Sequence, residues 1–207
     1  MKKQLFYSLV TVCLCMYAAQ IYAQTVGLLH NSNETFNGYT LFAPSASTNT
    51  YLIDNCGYVI NSWESEYRPG LSAYLLENGN LMRTIKVNST SFFGGGIGGG
   101  VQLFNWEGDL LWTYIYANTQ HHQHHDVEYL PNGNILMIAW ETKTGTEALA
   151  LGRTTVGAAI WPDHVIEIEP VGTNEGNVVW EWHAWDHLVQ DTDPEKPNYG
   201  NIADHPE

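Results

Sequence analysis

The sequence predicts an all-β chain of the β-propeller kind behind an N-terminal export signal, and three observations carry that prediction. Glycine turns, two of them Asn-Gly, sit between short apolar runs. These turns recur about 50 residues apart, the length of one four-stranded blade. Helical periodicity is nearly absent. Composition agrees: 44% of the 207 residues are apolar and 13% aromatic, with 8 Trp and 12 Tyr, which is enough to bury around an aromatic-rich core.

The first element is the export signal. Lys2 and Lys3 precede a mostly apolar run over 5–19, interrupted by Ser8 and Thr11, that closes at Ile21-Tyr22-Ala23. This is the layout of a secretory signal peptide, so residues 1–23 are expected to be cleaved and 24–207 to fold in the periplasm or outside the cell. The alternative is an N-terminal membrane anchor, because Ile21 is larger than the residue usually found three before the cut, although the run is short for a spanning helix. Cleavage removes Cys13 and Cys15 and leaves Cys56 without an internal disulfide partner, as a half-buried turn residue in Asp54-Asn55-Cys56-Gly57.

The repeat comes next. Residues 51–63 and 101–112 each read as strand, glycine turn, strand. Each is followed by a hairpin, over 73–82 around Asn78-Gly79 and over 128–137 around Asn132-Gly133, where type I′ turns with two positive φ angles are expected. A third copy starts at 164–168, turns through 174–177 and resumes at 178–182. A β-sandwich uses similar strands but gives no reason for the same turn to return at the same offset. About three blades are visible, whereas a ring closes with roughly four to eight. Residues 24–207 therefore read as a partial propeller, truncated at its C-terminus, with open strand edges that favour association. The stretch Gly94-Gly95-Gly96-Ile97-Gly98-Gly99-Gly100 lacks the Lys-Ser or Lys-Thr and the helix of a phosphate loop. It reads as an inter-blade linker or a place where backbones approach closely.

Charge narrows the partners. With 22 acidic and 8 basic residues, a net charge of -14 and no cationic stripe, the chain is unsuited to nucleic acid. After signal cleavage no membrane contact is expected either.

Two stretches could carry chemistry. His121-His122-Gln123-His124-His125, followed by Asp126, lies at the mouth of the strand leading to Asn132-Gly133. The tract has three readings: a metal site, though no Cys lies near it in sequence; a solvated loop without a task; or catalysis, where imidazole acts as nucleophile or as general acid and base. The second stretch, Trp180-Glu181-Trp182-His183-Ala184-Trp185-Asp186-His187-Leu188, mixes aromatic and polar groups. Trp185 and His187 are its candidate substrate-binding residues, against the alternative that the tryptophans pack between blades and His187 bonds to Asp186 or backbone.

Residues 124–136, from His124-His125-Asp126 through Pro131-Asn132-Gly133-Asn134, together with 180–188, resemble the exported bacterial arylsulfotransferases, and the likeness spans about residues 38–207. The resemblance implies a six-bladed propeller. Such a protein moves a sulfuryl group from a phenolic sulfate ester to a phenol acceptor, through a transiently sulfated histidine, without the nucleotide donor of cytosolic sulfotransferases and with no metal or cofactor. On this resemblance His125 corresponds to a sulfate-contacting histidine, with His124 the second choice as catalytic residue. The family's later channel histidines, its arginine and its sulfated histidine have no counterpart before Glu207, so the nucleophile is expected outside residues 1–207. The chemistry fits imidazole, which supplies N–H donors to the sulfuryl oxygens and protonates a leaving phenolate. The competing class is a non-catalytic exported propeller that binds an aromatic ligand, a metal or a protein partner through the His and Trp segments.

Overall fold

The computed structural model describes residues 28–205; the expected export signal at 1–23 lies outside the described residues. Strands β1 (Tyr39–Phe42), β2 (Thr50–Asp54) and β3 (Val59–Trp63) form a first sheet in chain order. A second sheet orders β4 (Pro69–Leu75), β5 (Leu81–Lys86), β6 (Gly99–Phe104) and β7 (Leu110–Ile115) in the same way. Then come β8 (His121–Tyr129) and β9 (Ile135–Glu141), an excursion through β10 (Lys143–Thr144), α1 (Gly145–Ala150) and β11 (Ala159–Ile160), and finally β12 (Asp163–Val171) and β13 (Glu175–His183). Strands β8, β9, β12 and β13 make a third sheet, also in chain order. Neighbouring strands in every sheet are antiparallel, so the all-β class is correct. α1 is the one α-helix among the described residues, and a reciprocal Thr144–Glu147 capping box starts it.

Four hairpins share one turn, and it is not the expected type I′. At Gly57, Gly79, Gly108 and Gly133 the glycine N–H donates to the carbonyl three residues earlier, and that earlier residue's N–H donates to the carbonyl of the residue after the glycine. Only the glycine has positive φ, at 80°, 84°, 95° and 89°. This is a type I turn closed by a left-handed glycine bulge. An Asp or Asn side chain stabilises each: Asp54 Oδ1 accepts from the backbone of Tyr58, Asn78 from Asn80, Asn105 from Asp109 and Asn132 from Asn134. The third-copy turn also differs from expectation. It runs through Gly172 (φ 58°), while Gly176 lies inside β13 opposite Pro170, because a Cβ there would crowd Ile168 and Tyr114. Cys56 is exposed in its turn rather than half-buried.

Each sheet packs on the next. Leu52, Trp63, Leu81 and Phe104 form the core between the first and second sheets, where the Trp63 indole N–H donates to the Asn105 carbonyl at 2.8 Å. Met82, Val101, Trp112, Val127, Ile135, Met137, Ile166 and Ile168 form the core between the second and third. At about 25 cal/mol per Å² of apolar surface, these two interfaces dominate stability. Arg83, fully buried, fastens the first interface: its Nη1 donates to the Thr48 carbonyl (2.8 Å) and Thr50 Oγ1 (3.2 Å), and its Nη2 to the Tyr67 carbonyl (3.1 Å). Burial brings its pKa down to about 10, which leaves it cationic at neutral pH.

The glycine-rich stretch joins β5 to β6 within one sheet, so it is not an inter-blade linker; it is a place of close approach. A Cβ at Gly98 would strike the Gln123 side chain, one at Gly99 the Val87 side chain and one at Gly100 the Tyr114 carbonyl.

These positions separate two roles of glycine. Gly108→Ala, whose Cβ would meet open space, should cost only the left-handed backbone strain, about 1–2 kcal/mol. Gly100→Ala, which collides with backbone, should cost more. Urea unfolding of the two variants checks the order, and equal losses would contradict it.

Candidate functional site

The histidine tract is not a loop. It is the first half of β8, and the register of that strand decides where each imidazole goes. His121 pairs with Glu141, His122 with Trp140 and Gln123 with Ala139; pairing resumes at Val127 opposite Met137. His124, His125 and Asp126 therefore stand opposite Ile138 alone, in a wide bulge. The free edge of β8 is held by the preceding sheet: Gln123 N donates to the Tyr116 carbonyl, Gly98 N to the Gln123 carbonyl and His125 N to the Gly96 carbonyl.

Inside the bulge, His124 and His125 come together. Their Nδ1 atoms lie 2.8 Å apart, and His124 Nε2 donates to Asp163 Oδ1 at 3.0 Å. His124 is 3% exposed and stacks on Trp140 with centroids 4.4 Å apart. Burial holds its pKa below the ordinary imidazole range despite Asp163. His125 is exposed and is the one non-glycine residue among those described with positive φ (50°). Its ring lies where any Cβ at Gly96 would sit, so glycine at 96 and the left-handed turn at 125 are one constraint.

His125 and Asp126 open onto a cavity of about 420 Å³ lined also by Leu71, Ser72, Ala73 and Tyr74. Tyr74 donates its hydroxyl to Asp126 Oδ1 at 2.7 Å. That bond, with burial, pushes the Tyr74 pKa up to about 12, so the phenol keeps its proton.

The other histidines of the tract do different work. His122, 1% exposed, packs against Phe92 and bonds to the Gly98 carbonyl through Nε2. His121 belongs to a second cluster at one end of the interface between the second and third sheets, which sequence reasoning missed. There His121 stacks on Tyr116 (5.3 Å), and the Tyr116 hydroxyl lies 3.1 Å from His164 Nε2. His164 in turn stacks on His183 (5.1 Å, 5° between planes). Lys143 Nζ lies 2.9 Å from Glu141 Oε2, and His183 Nδ1 makes an ion-pair contact of 3.2 Å with Oε1. Burial pushes Glu141 up, but Lys143 and His183 more than offset it and leave its pKa below the ordinary carboxylate range. His164 and His183 meet only through the pairing register, in which His164 lies opposite Ala139 on one side and His183 on the other.

Trp185 and His187 are not brought to the His124–His125 pair. Both lie on a 3₁₀ turn, Ala184–His187, after β13. Trp185 is half-buried under Lys143 Nζ, 5.4 Å from its ring, and His187 is exposed and stacked on Trp182 at 4.9 Å. Asp186 is not a hydrogen-bond partner of His187 among the described contacts. Among the described residues no three His, Cys, Asp or Glu side chains converge as a metal site would require.

Fully buried His164 generates a prediction. Burial, then His121 beside it, lowers its pKa to about 4, far below an unfolded imidazole near 6.5. Between these values the unfolded chain binds the proton and the folded chain does not, so stability falls as pH drops, by at most about 1.4 kcal/mol per pH unit. Burial lowers His121, His122 and His124 as well, adding the same sign. The urea midpoint should therefore fall from pH 7 to pH 5, and His164→Gln should flatten that dependence. An unchanged slope in the variant would contradict a neutral, buried His164.

No curated protein matches the chain. The family model described as Arylsulfotransferase (ASST) matches residues 25–205, which include every strand described above and both candidate segments, and the chain belongs to that family.

Proposed function

We propose that this protein is an exported aryl-sulfate sulfotransferase, taking a sulfuryl group from a phenolic sulfate ester and passing it to a phenol without a nucleotide donor. The observation that carries the reading is the His124–His125 pair. In a chain of the arylsulfotransferase family, two imidazoles touch, and the outer one stands exposed over a cavity that also holds a protonated phenol and a carboxylate. In this proposal His125 meets the transferring sulfuryl group, His124 backs it, and the sulfated histidine of the family is a separate residue. Trp185 and His187, expected to bind substrate, lie apart from this pair on the turn after β13 and are left out of the proposal.

The same proposal makes the three sheets consecutive blades of a propeller. Support comes from their chain-order strands and from the contacts between them, with β4 lying against β8 and β7 against β13. That is the relation of inner to inner and outer to outer strands in neighbouring blades. Export by cleavage after Ala23 is part of the reading; among the described residues no helix is long and apolar enough to cross a membrane. Intact-mass analysis of the exported protein should give an N-terminus at Gln24, and retention of Met1 would reject cleavage.

Sulfuryl transfer is tested by following release of a coloured phenol from its sulfate ester together with formation of the acceptor's ester. In a protein that also carries the family's sulfated histidine, His125→Ala should lower turnover on the order of 100-fold or more, the loss typical of one proton-transfer or electrostatic group, with a small change in urea midpoint because the side chain is exposed. His121→Ala should lower turnover much less. Near-normal transfer by His125→Ala would overturn the assignment, and activity that tracks added Zn and vanishes with a chelator would replace it by a metal reading.

A further inference from the structure

The contacts behind His125 define which of its nitrogens works, given the sulfuryl-transfer reading on which this step rests. We infer that Asp163, acting through His124, is a positioning residue that holds His125 in the Nδ1–H tautomer and leaves Nε2 as the nitrogen that exchanges a proton with the phenol.

Donors and acceptors along the chain of contacts fix the tautomer. The Asp163 carboxylate accepts, so its 3.0 Å contact requires a proton on His124 Nε2. Neutral imidazole carries one proton, and burial keeps His124 on the neutral side. Its Nδ1 is then a bare acceptor, and the hydrogen that fills the 2.8 Å gap between the two Nδ1 atoms belongs to His125. His125 Nε2, with no hydrogen bond to any described residue, carries the lone pair.

Neither ring is free to turn. Trp140 stacks on His124, and the His125 ring occupies the space over Gly96. The titratable groups facing the pair are Asp163 and His122 around His124, and Asp126 with Tyr74 beside His125. Tyr74 and the Val127 N–H both donate to Asp126 Oδ1, so that carboxylate is already engaged.

In the transfer to acceptor, the phenol O–H bond breaks and its proton binds His125 Nε2. The electron pair left on oxygen forms the new O–S bond, while the bond from sulfur to its previous carrier breaks with its pair leaving on that carrier. In the donor half the direction reverses, and Nε2–H returns a proton to the departing phenolate. The His125 cation that the acceptor half leaves, and that the donor half of the next turnover discharges onto the departing phenolate, is stabilised through His124 by the Asp163 carboxylate, the orienting role that a carboxylate plays behind an imidazole base.

Long-range ¹H–¹⁵N correlation of the full chain labelled with ¹⁵N-histidine reads the tautomers without any substrate. His125 should show a protonated Nδ1 and an unprotonated Nε2 when neutral. Asp163→Asn should redistribute the ring protons of His124 and His125, and Asp163→Glu should restore them. In the aryl-sulfate assay Asp163→Asn should lower kcat about 10- to 100-fold with little change in the donor's KM. Asp163→Glu should recover most of the rate. A protonated Nε2 on neutral His125, or ring nitrogens unmoved by Asp163→Asn, would overturn the inference. The expected tautomer in a protein that transfers no sulfuryl group would reject the sulfuryl-transfer reading and with it the phenol, while the positioning of His125 by Asp163 would stand.

Discussion

The bulge in β8 is the constraint on which the site depends. Three residues stand opposite Ile138, and the chain absorbs the excess by placing His125 at φ 50°. A left-handed non-glycine residue costs about 1–2 kcal/mol. Here the neighbouring backbone holds it there: His125 N donates to Gly96, Ile97 and His124 form an isolated bridge, and the absent side chain of Gly96 leaves room for the imidazole. Regular alternation through this segment would instead keep His124 and His125 on opposite faces of the sheet. The bulge is what lets two consecutive imidazoles touch while one is buried and the other faces solvent.

The same strand feeds two environments that differ in what burial does to imidazole. On one side Trp140 and Phe92 cover His124 and His122. On the other, His121 joins Tyr116, His164 and His183 at the end of an interface whose middle is aliphatic and Trp112. Desolvation favours the neutral form of His121, His122, His124 and His164, and each buried ring finds at least one polar partner, from the Gly98 carbonyl, the Tyr116 hydroxyl or Asp163.

The fold was legible where local chemistry is self-contained. Glycine between apolar runs marked four hairpins correctly, because a left-handed residue after a type I turn admits little else. It misled on turn type, since Asn-Gly serves both the two-residue turn and the glycine bulge, and strand register chooses between them. Gly176 misled differently: it is glycine for lack of space beside Ile168, a tertiary fact. The short helix after β10 went unanticipated, although the Thr144–Glu147 spacing that caps it is a helix-start signal. At the candidate site, the string from His124 to Asp126 marked the segment that the structure shows as a bulge holding two touching imidazoles. Its reading as a loop failed because a bulged strand breaks the period-2 pattern by which strands are recognised. The roles of Asp163 and Trp140, opposite each other across β9 and β12 and distant in sequence, come only from pairing.

The central claim is that the cavity beside His125, Tyr74 and Asp126 receives the sulfuryl group. A crystal structure of the protein with an unreactive aryl-sulfate analogue tests it most directly. The account predicts the bridging oxygen within about 3 Å of His125 Nε2, with His124 still stacked on Trp140. An analogue bound elsewhere, with the His125 cavity empty, would contradict it.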